Sequence, residues 1–168
     1  MNKLTILVGN SCSGKSTLAR KIAKENPNTY IISRDDERLS LFGEYRMGTD
    51  REEKIITYIM NSKLYVLEDY VTNVVIDNTH LKLKYVRHWT EMVEVQFDEI
   101  EVIMLPLFEY DKLNFRNHLR YRESKKLIPE TVLQAQLESY KSVYNSKEWE
   151  DYCTKNNIKL TKLKQHDI

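Results

Sequence analysis

The stretch GNSCSGKS, residues 9–16, has the GxxxxGKS spacing in which a short loop wraps a phosphate. Gly9 and Gly14 allow the tight turn, and the amides of Asn10, Ser11, Cys12, Ser13 and Gly14 can converge on a single anion. The helix that begins at Lys15, Ser16 and Thr17 directs its positive end toward the same point. Lys15 offers a mobile charge to β- and γ-phosphate oxygens, and Ser16 offers a hydroxyl oxygen to Mg²⁺. Cys12 has no histidine partner indicated by the sequence, and phosphoryl transfer needs no covalent step, so it reads as a loop side chain. These residues point to nucleotide binding.

A second group follows in YIISRDDERLS, residues 30–40, where two carboxylates stand between arginines after an apolar run. At the carboxyl end of a second strand, Asp35 would face the ligand crevice beside the loop and accept a proton from an incoming hydroxyl. Arg38, one helical turn on, would hold a phosphate of the acceptor. The rival reading makes Asp35 and Asp36 a helix cap, with Arg34 and Arg38 on a solvated surface. Capping is the better reading for Asp36. Asp77 ends VVID and suits a strand-end carboxylate near Mg²⁺ or its water shell, or one that orients Lys15, Arg38 or a turn. Asn78 and Thr79 satisfy turn amides, and His80 lacks a ligand cluster, so all three read as structural.

The third group is FRNHLRYRESKK, residues 115–126. Arg116 and Arg120 are four apart and share a helix face, so a mobile segment can carry their guanidinium groups over ATP phosphates. Arg122, Lys125 and Lys126 either continue toward a nucleic-acid backbone or form a solvated charge run. Tyr30, Tyr45, Phe115 and Tyr121 read as packing residues before they read as base-stacking platforms.

The elements that must position these groups alternate. LTILV (4–8) reads as a buried strand, 16–25 as a helix packing Leu18, Ala19, Ile22 and Ala23, and TYIIS (29–33) as a second strand. A short helix over 36–42 and a loop over 43–49 precede a longer helix capped by Asp50, with Glu53 at the capping-box spacing. Its apolar face is expected at Ile55, Ile56, Ile59, Met60, Tyr65, Val66 and Leu67. VVID (74–77) and EVIML (101–105) are strands with a helix around 83–97 between them; helices over 111–122 and from Pro129 follow, and Ile158, Leu160 and Leu163 suffice for a terminal strand. The fold class is α/β, a P-loop NTPase fold with a mostly parallel central sheet flanked by helices and an arginine-bearing helical lid.

At 168 residues, the chain is expected to form one domain spanning 1–168. Twenty-six Lys and Arg against 25 Asp and Glu supply no general attraction for nucleic acid, so any such contact needs a local patch. Two cysteines, Cys12 and Cys153, form no metal cluster or disulfide framework. With no apolar run of spanning length, the expected setting is cytoplasmic, without a membrane partner.

Taken together, ILVGNSCSGKSTLARKIAKENPNTYIISRDDERLS, VVIDNTHL and FRNHLRYRESKKLIPETV resemble the kinase portion of phage polynucleotide kinase/phosphatase, over roughly residues 3–145. The resemblance implies an ATP- and Mg²⁺-dependent kinase that transfers the γ-phosphate to 5′-hydroxyl ends of DNA or RNA. It places the family's P-loop lysine and serine on Lys15 and Ser16, its general base on Asp35 and its acceptor-phosphate arginine on Arg38. The strand-end aspartate falls on Asp77 and the lid arginines on Arg116 and Arg120, with Arg120 catalytic. No DxDGT-type motif is present, so no phosphatase domain or 3′-phosphatase activity is carried over. The resemblance further implies end repair with separate ligase and phosphatase chains, homo-oligomerisation, and the host-cell cytoplasm if the chain is phage-encoded. Two other functions share the residues: a nucleoside, nucleotide or other small-molecule kinase, and a nucleotide-dependent binding or switch module.

Overall fold

The computed structural model describes residues 2–68, 73–92 and 96–168. Five strands form one all-parallel sheet in the order β2-β3-β1-β4-β5: β1 Lys3–Val8, β2 Thr29–Ser33, β3 Asn73–Asp77, β4 Glu99–Met104 and β5 Lys159–Lys162. Apolar side chains leave both faces of the central strands, as a sheet covered on both sides requires. Leu4, Ile6 and Val8 of β1, with Ile32, Ile76 and Met104, face the larger core. Leu7 and Val75 leave the opposite face and meet Ala19, Leu18 and Ile22 of α1, Lys15–Glu25. Each fully buried Leu or Ile contributes about 1.5–3 kcal/mol, so the sheet is a rigid platform.

The register places Ser33 beside Asp77 and Asp77 beside Leu7. The carboxyl ends of β2, β3 and β1 therefore deliver the chain segments 34–38, 77–80 and 9–16 to one edge of the sheet, where parallel α/β folds bind ligands. α2, Arg34–Phe42, starts directly at the end of β2, and its N-cap is Ser33, whose Oγ accepts the Asp36 amide at 3.4 Å. Asp35 and Asp36 thus lie in the first turn and are not the cap. Arg34 and Arg38 are 24% and 13% exposed, so neither stands on a solvated surface.

α3, Asp50–Glu68, is capped one residue earlier than expected. Thr49 Oγ1 accepts the Glu52 amide at 3.3 Å while Glu52 Oε1 accepts the Thr49 amide at 3.0 Å, a reciprocal capping box that leaves Glu53 free for other work. Its buried face is Ile56, Met60 and Leu64; Ile55, Tyr65 and Val66 are exposed. The expected helix around 83–97 is the short α4, Leu83–Arg87, continued by a π-helical turn, His88–Met92; residues 93–95 lie outside the described ones.

α5, Tyr110–Ser124, and α6, Glu130–Tyr144, pack through Phe108, Leu113, Leu133 and Leu137, with Cys12 against the same cluster. Between α6 and β5 lies a helix absent from the expected elements, α7, Lys147–Lys155, which buries Trp149, Tyr152 and Cys153. Among the described residues, no helix is long and apolar enough to cross a membrane.

Candidate active site

The loop between β1 and α1 carries two left-handed residues, Cys12 at φ 67° and Gly14 at φ 99°. This conformation turns successive amides toward one concavity, and only Gly14 adopts it without a Cβ penalty. Gly9 has a different constraint: a Cβ there would lie 2.9 Å from Ser13 Oγ and 3.0 Å from Leu105 Cβ. Gln136 of α6 braces the loop from outside by accepting the Ser11 amide at 2.9 Å. Tyr140, one turn further, donates to the Leu105 and Val8 carbonyls at 2.5 and 3.2 Å. Asn10 Oδ1 and Ser13 Oγ are buried without a protein partner among the described residues, and the first amides of α1 have no intrahelical acceptor. The loop is a fixed cradle rich in donors.

Lys15 is buried, and its Nζ donates to the Asn10 carbonyl at 2.9 Å. Burial lowers it to about 8, with Asp77 and Asp35 opposing the shift. Ser16 Oγ donates to Asp77 Oδ2 at 2.7 Å. Asp77 therefore sits against the loop and α1, on the phosphate side of the cleft. A hydroxyl and a carboxylate oxygen at this point are hard oxygen donors of the kind Mg²⁺ accepts.

Across the cleft, Arg38 Nη1 donates to Asp35 Oδ1 at 2.9 Å, while Arg38 Nε and Nη2 grip Glu53 Oε1 and Oε2 at 2.9 and 3.0 Å. Glu53 also accepts from Arg34 Nη1 at 3.0 Å and from the Gly48 amide at 2.9 Å. The other Asp35 oxygen, Oδ2, is paired with Lys126. Burial alone would raise the Asp35 carboxyl, but Lys126 and then Arg38 outweigh it and hold the group below the ordinary carboxylate range. Asp36 moves the other way: partial burial raises it, and Asp77 and Asp35 add to the effect. The two neighbouring carboxylates thus have opposite electrostatic surroundings.

α5 brings both predicted lid arginines to the loop. Arg116 Nη1 donates to the Cys12 carbonyl at 3.2 Å, and its guanidinium stacks 4.4 Å from the Phe108 ring centroid. Arg120 Nε is buried without a partner among the described residues. Arg120, Lys15, Lys126 and Arg116 together act on the Cys12 thiol, yet its burial outweighs them and raises the thiol, which stays protonated. Asn117 is fully buried and clamps the turn after α5: its Nδ2 donates to the Ile128 carbonyl at 2.7 Å, and its Oδ1 accepts the Ile128 amide at 3.0 Å. That clamp splits the basic run, leaving Arg122 and Lys125 exposed and turning Lys126 into the cleft.

The expected structural residues are placed as such. Asn78 Oδ1 accepts the Arg34 amide at 3.0 Å, and the Thr79 carbonyl accepts the Gly9 amide at 3.0 Å. His80 Nε2 accepts from Trp89 Nε1 at 2.9 Å, so the ring proton is on Nδ1, which donates to the Leu7 carbonyl at 2.6 Å. Burial lowers His80 to about 4. Of the aromatic candidates, Tyr30, Phe115 and Tyr121 are exposed, while Tyr45 lies over Lys126 Nζ at 5.1 Å from its centroid. Sequence reading missed Glu53, assigned to a cap, and Gln136, which has no local motif.

A family model of an AAA domain matches residues 4–143. The chain belongs to this AAA domain family. A chain in a structure of the Pnkp1/Rnl/Hen1 RNA repair complex is similar at 28% identity and a TM-score of 0.74, over 83% of this chain and 44% of that one. A chain in a structure of the Pnkp1/Rnl/Hen1 complex matches at 32% identity and a TM-score of 0.57, over 67% of this chain and 38% of that one. This AAA domain chain therefore spans less than half the length of either. A gluconokinase from Sinorhizobium meliloti 1021 shares the fold at 18% identity and a TM-score of 0.57, over 97% of this chain and 83% of its own. The architecture is that of a P-loop kinase-like nucleotide-binding domain.

Proposed function

We propose that the chain is an ATP-dependent polynucleotide 5′-hydroxyl kinase, transferring the ATP γ-phosphate to 5′-OH ends of DNA or RNA. The observation that carries the reading is the Asp35–Arg38–Glu53 array, which sets an ionised carboxylate and a rigidly held guanidinium across the cleft from the phosphate loop. The similarity to a chain of an RNA repair complex supports a nucleic-acid acceptor. In this reading the loop amides from Gly9 to Thr17 hold the triphosphate, and Lys15 follows the β- and γ-oxygens. Ser16 and Asp77 would hold Mg²⁺, which supplies charge neutralisation at the phosphates. Asp35 takes the proton from the 5′-hydroxyl as its oxygen attacks phosphorus, Arg38 fixes the adjacent acceptor phosphate, and Arg116 and Arg120 stabilise charge on the transferred group. A ligase and a phosphatase would be partners in end repair, and the kinase itself would form a homo-oligomer in the cytoplasm.

The gluconokinase likeness favours a second reading, a small-molecule kinase, because that chain is matched over most of its length. Labelled ATP with 5′-hydroxyl oligonucleotides, 5′-phosphate oligonucleotides, nucleosides and gluconate separates the two. Label on the 5′-hydroxyl oligonucleotide alone supports the first, and label confined to small molecules rejects it.

A further inference from the structure

Lys126 is the basic residue that the lid does not explain. It lies beyond the end of α5, where Lys125 adopts φ 58° and closes the helix by donating its amide to the Tyr121 carbonyl at 3.0 Å. The turn it belongs to is held by the Asn117–Ile128 clamp and by Ser124 Oγ, which accepts the Lys126 amide at 3.3 Å. Its side chain is 16% exposed, with Nζ paired to Asp35 and above the Tyr45 ring. One ion pair thus bridges the arginine-bearing wall of the cleft and the α2 wall that would receive the acceptor.

Two cations share the Asp35 carboxylate, and they are not equally fixed. Arg38 is bound through two of its nitrogens to Glu53 as well, whereas Lys126 is paired only with Asp35 among the described ion pairs. An ammonium on a flexible stem exchanges partners more readily than a guanidinium held in a fork. An acceptor phosphate placed by Arg38 would arrive beside the Lys126 ammonium and compete with Asp35 for it.

We propose that Lys126 is a specificity-determining residue of the transfer reaction: it occupies the Asp35 carboxylate until an acceptor phosphate draws the ammonium away. The inference rests on the kinase reading above. Asp35 is then released for proton abstraction only when the acceptor carries a phosphate next to its hydroxyl. In the productive step the acceptor oxygen forms a bond to the γ-phosphorus, the bond from that phosphorus to the bridging oxygen breaks with its electron pair going to ADP, and the proton passes to Asp35. Water and unphosphorylated nucleosides bring no anion, so they meet an occupied base. Lys126 thereby restrains wasteful ATP hydrolysis and selects nucleotide-type acceptors.

The charged groups facing Asp35 are Lys126 from the turn after α5, Arg38 and Asp36 from α2, and Lys15 from α1. Loss of Lys126 removes one close cation and moves the acid limb of the rate profile up by about one pH unit. The test compares wild type, Lys126→Gln and Lys126→Arg, each checked for folding by circular dichroism and for ATP affinity. Acceptor-free ATP hydrolysis is measured against pH, and transfer to thymidine is compared with transfer to thymidine 3′-phosphate. Lys126→Gln is expected to hydrolyse ATP about tenfold faster at neutral pH, with the raised acid limb, and to lose about tenfold in preference for the 3′-phosphate acceptor. Lys126→Arg keeps a cation on Asp35 and restores the slow hydrolysis and the acid limb. Unchanged hydrolysis and an unmoved acid limb in folded Lys126→Gln overturn the proposal, as does faster hydrolysis with intact acceptor preference. Should the wild type fail to label oligonucleotides, the polynucleotide reading falls, while the hydrolysis and acid-limb comparison still decides the masking of Asp35 by Lys126.

Discussion

Replacing Glu53 by Gln isolates the support behind the acceptor arginine. Glu53 accepts two hydrogen bonds from Arg38 at 2.9 and 3.0 Å, one from Arg34 at 3.0 Å and one from the Gly48 amide at 2.9 Å. The glutamine keeps the volume but turns an NH₂ toward guanidinium donors and removes the charge. Breaking a fully buried pair costs about 3–5 kcal/mol and an exposed one about 0–1. With Glu53 21% exposed and Arg38 13% exposed, the loss falls between them at about 2 kcal/mol. A chain of this length then loses roughly 6 °C in Tm. Glu53 also has a carboxyl lowered from 4.5: burial works against the shift, but bonds from Arg38 and the Gly48 amide overcome it. Its contribution is present above the unfolded value and disappears as pH falls through the folded one, so wild type and variant converge in acid. Functionally, a loosened Arg38 raises KM for the acceptor about tenfold, roughly 1.4 kcal/mol, while ATP affinity holds. Urea denaturation at pH 7 and pH 3, with steady-state kinetics in both substrates, checks each part. A stability change under about 0.5 kcal/mol, the level of an ordinary surface substitution, with an unchanged acceptor KM would refute the reasoning.

Asp35→Asn should leave the fold and ATP affinity near native but slow single-turnover transfer by about 10²–10⁴, whereas Asp36→Asn, next to a cap made by Ser33, should be milder; near-native transfer by Asp35→Asn overturns its role. His80 gives a separate pH signature. Its ring is lowered from 6.5 to about 4, so the unfolded chain binds the proton first as pH falls and stability drops by about 3 kcal/mol between those values. His80→Gln should flatten the pH dependence of the urea midpoint in that window, with the smaller share from His88, lowered by burial and by Arg34, remaining.

The strands and the phosphate loop were legible because their signals are local: short continuous apolar runs, and glycines at fixed spacing before a helix. The sites of error were tertiary. Asp50 and Glu53 fit a capping box by spacing, but Thr49 and Glu52 fit equally well one residue earlier, and the charge of Arg34 and Arg38 across a turn decides which glutamate is left over. Ile55, Tyr65 and Val66 were assigned to the core because helix α3 carries apolar residues around most of its circumference, so periodicity could not choose the face. The helix α7 was hidden by Lys147, Glu148, Glu150 and Asp151, which surround a narrow buried stripe of Trp149, Tyr152 and Cys153. In the cleft, Asp35 and Asp77 were visible as carboxylates at strand ends, Arg38 as the arginine one helical turn on, and Arg116 and Arg120 by their four-residue spacing on one helix. The inward turn of Lys126 and the brace from Gln136 depend on the clamp at Asn117 and the packing of α6, which no short window of sequence contains.

The central claim is that the γ-phosphate goes to a terminal 5′-hydroxyl, and the position of the label tests it most directly. An oligonucleotide with a 5′-hydroxyl is incubated with γ-labelled ATP and Mg²⁺, then digested completely to nucleoside 5′-monophosphates. The account predicts that all label is recovered on the 5′-terminal nucleotide and that an otherwise identical oligonucleotide with a 5′-phosphate acquires none. An unlabelled oligonucleotide in the presence of an active preparation that phosphorylates a nucleoside or gluconate would contradict it.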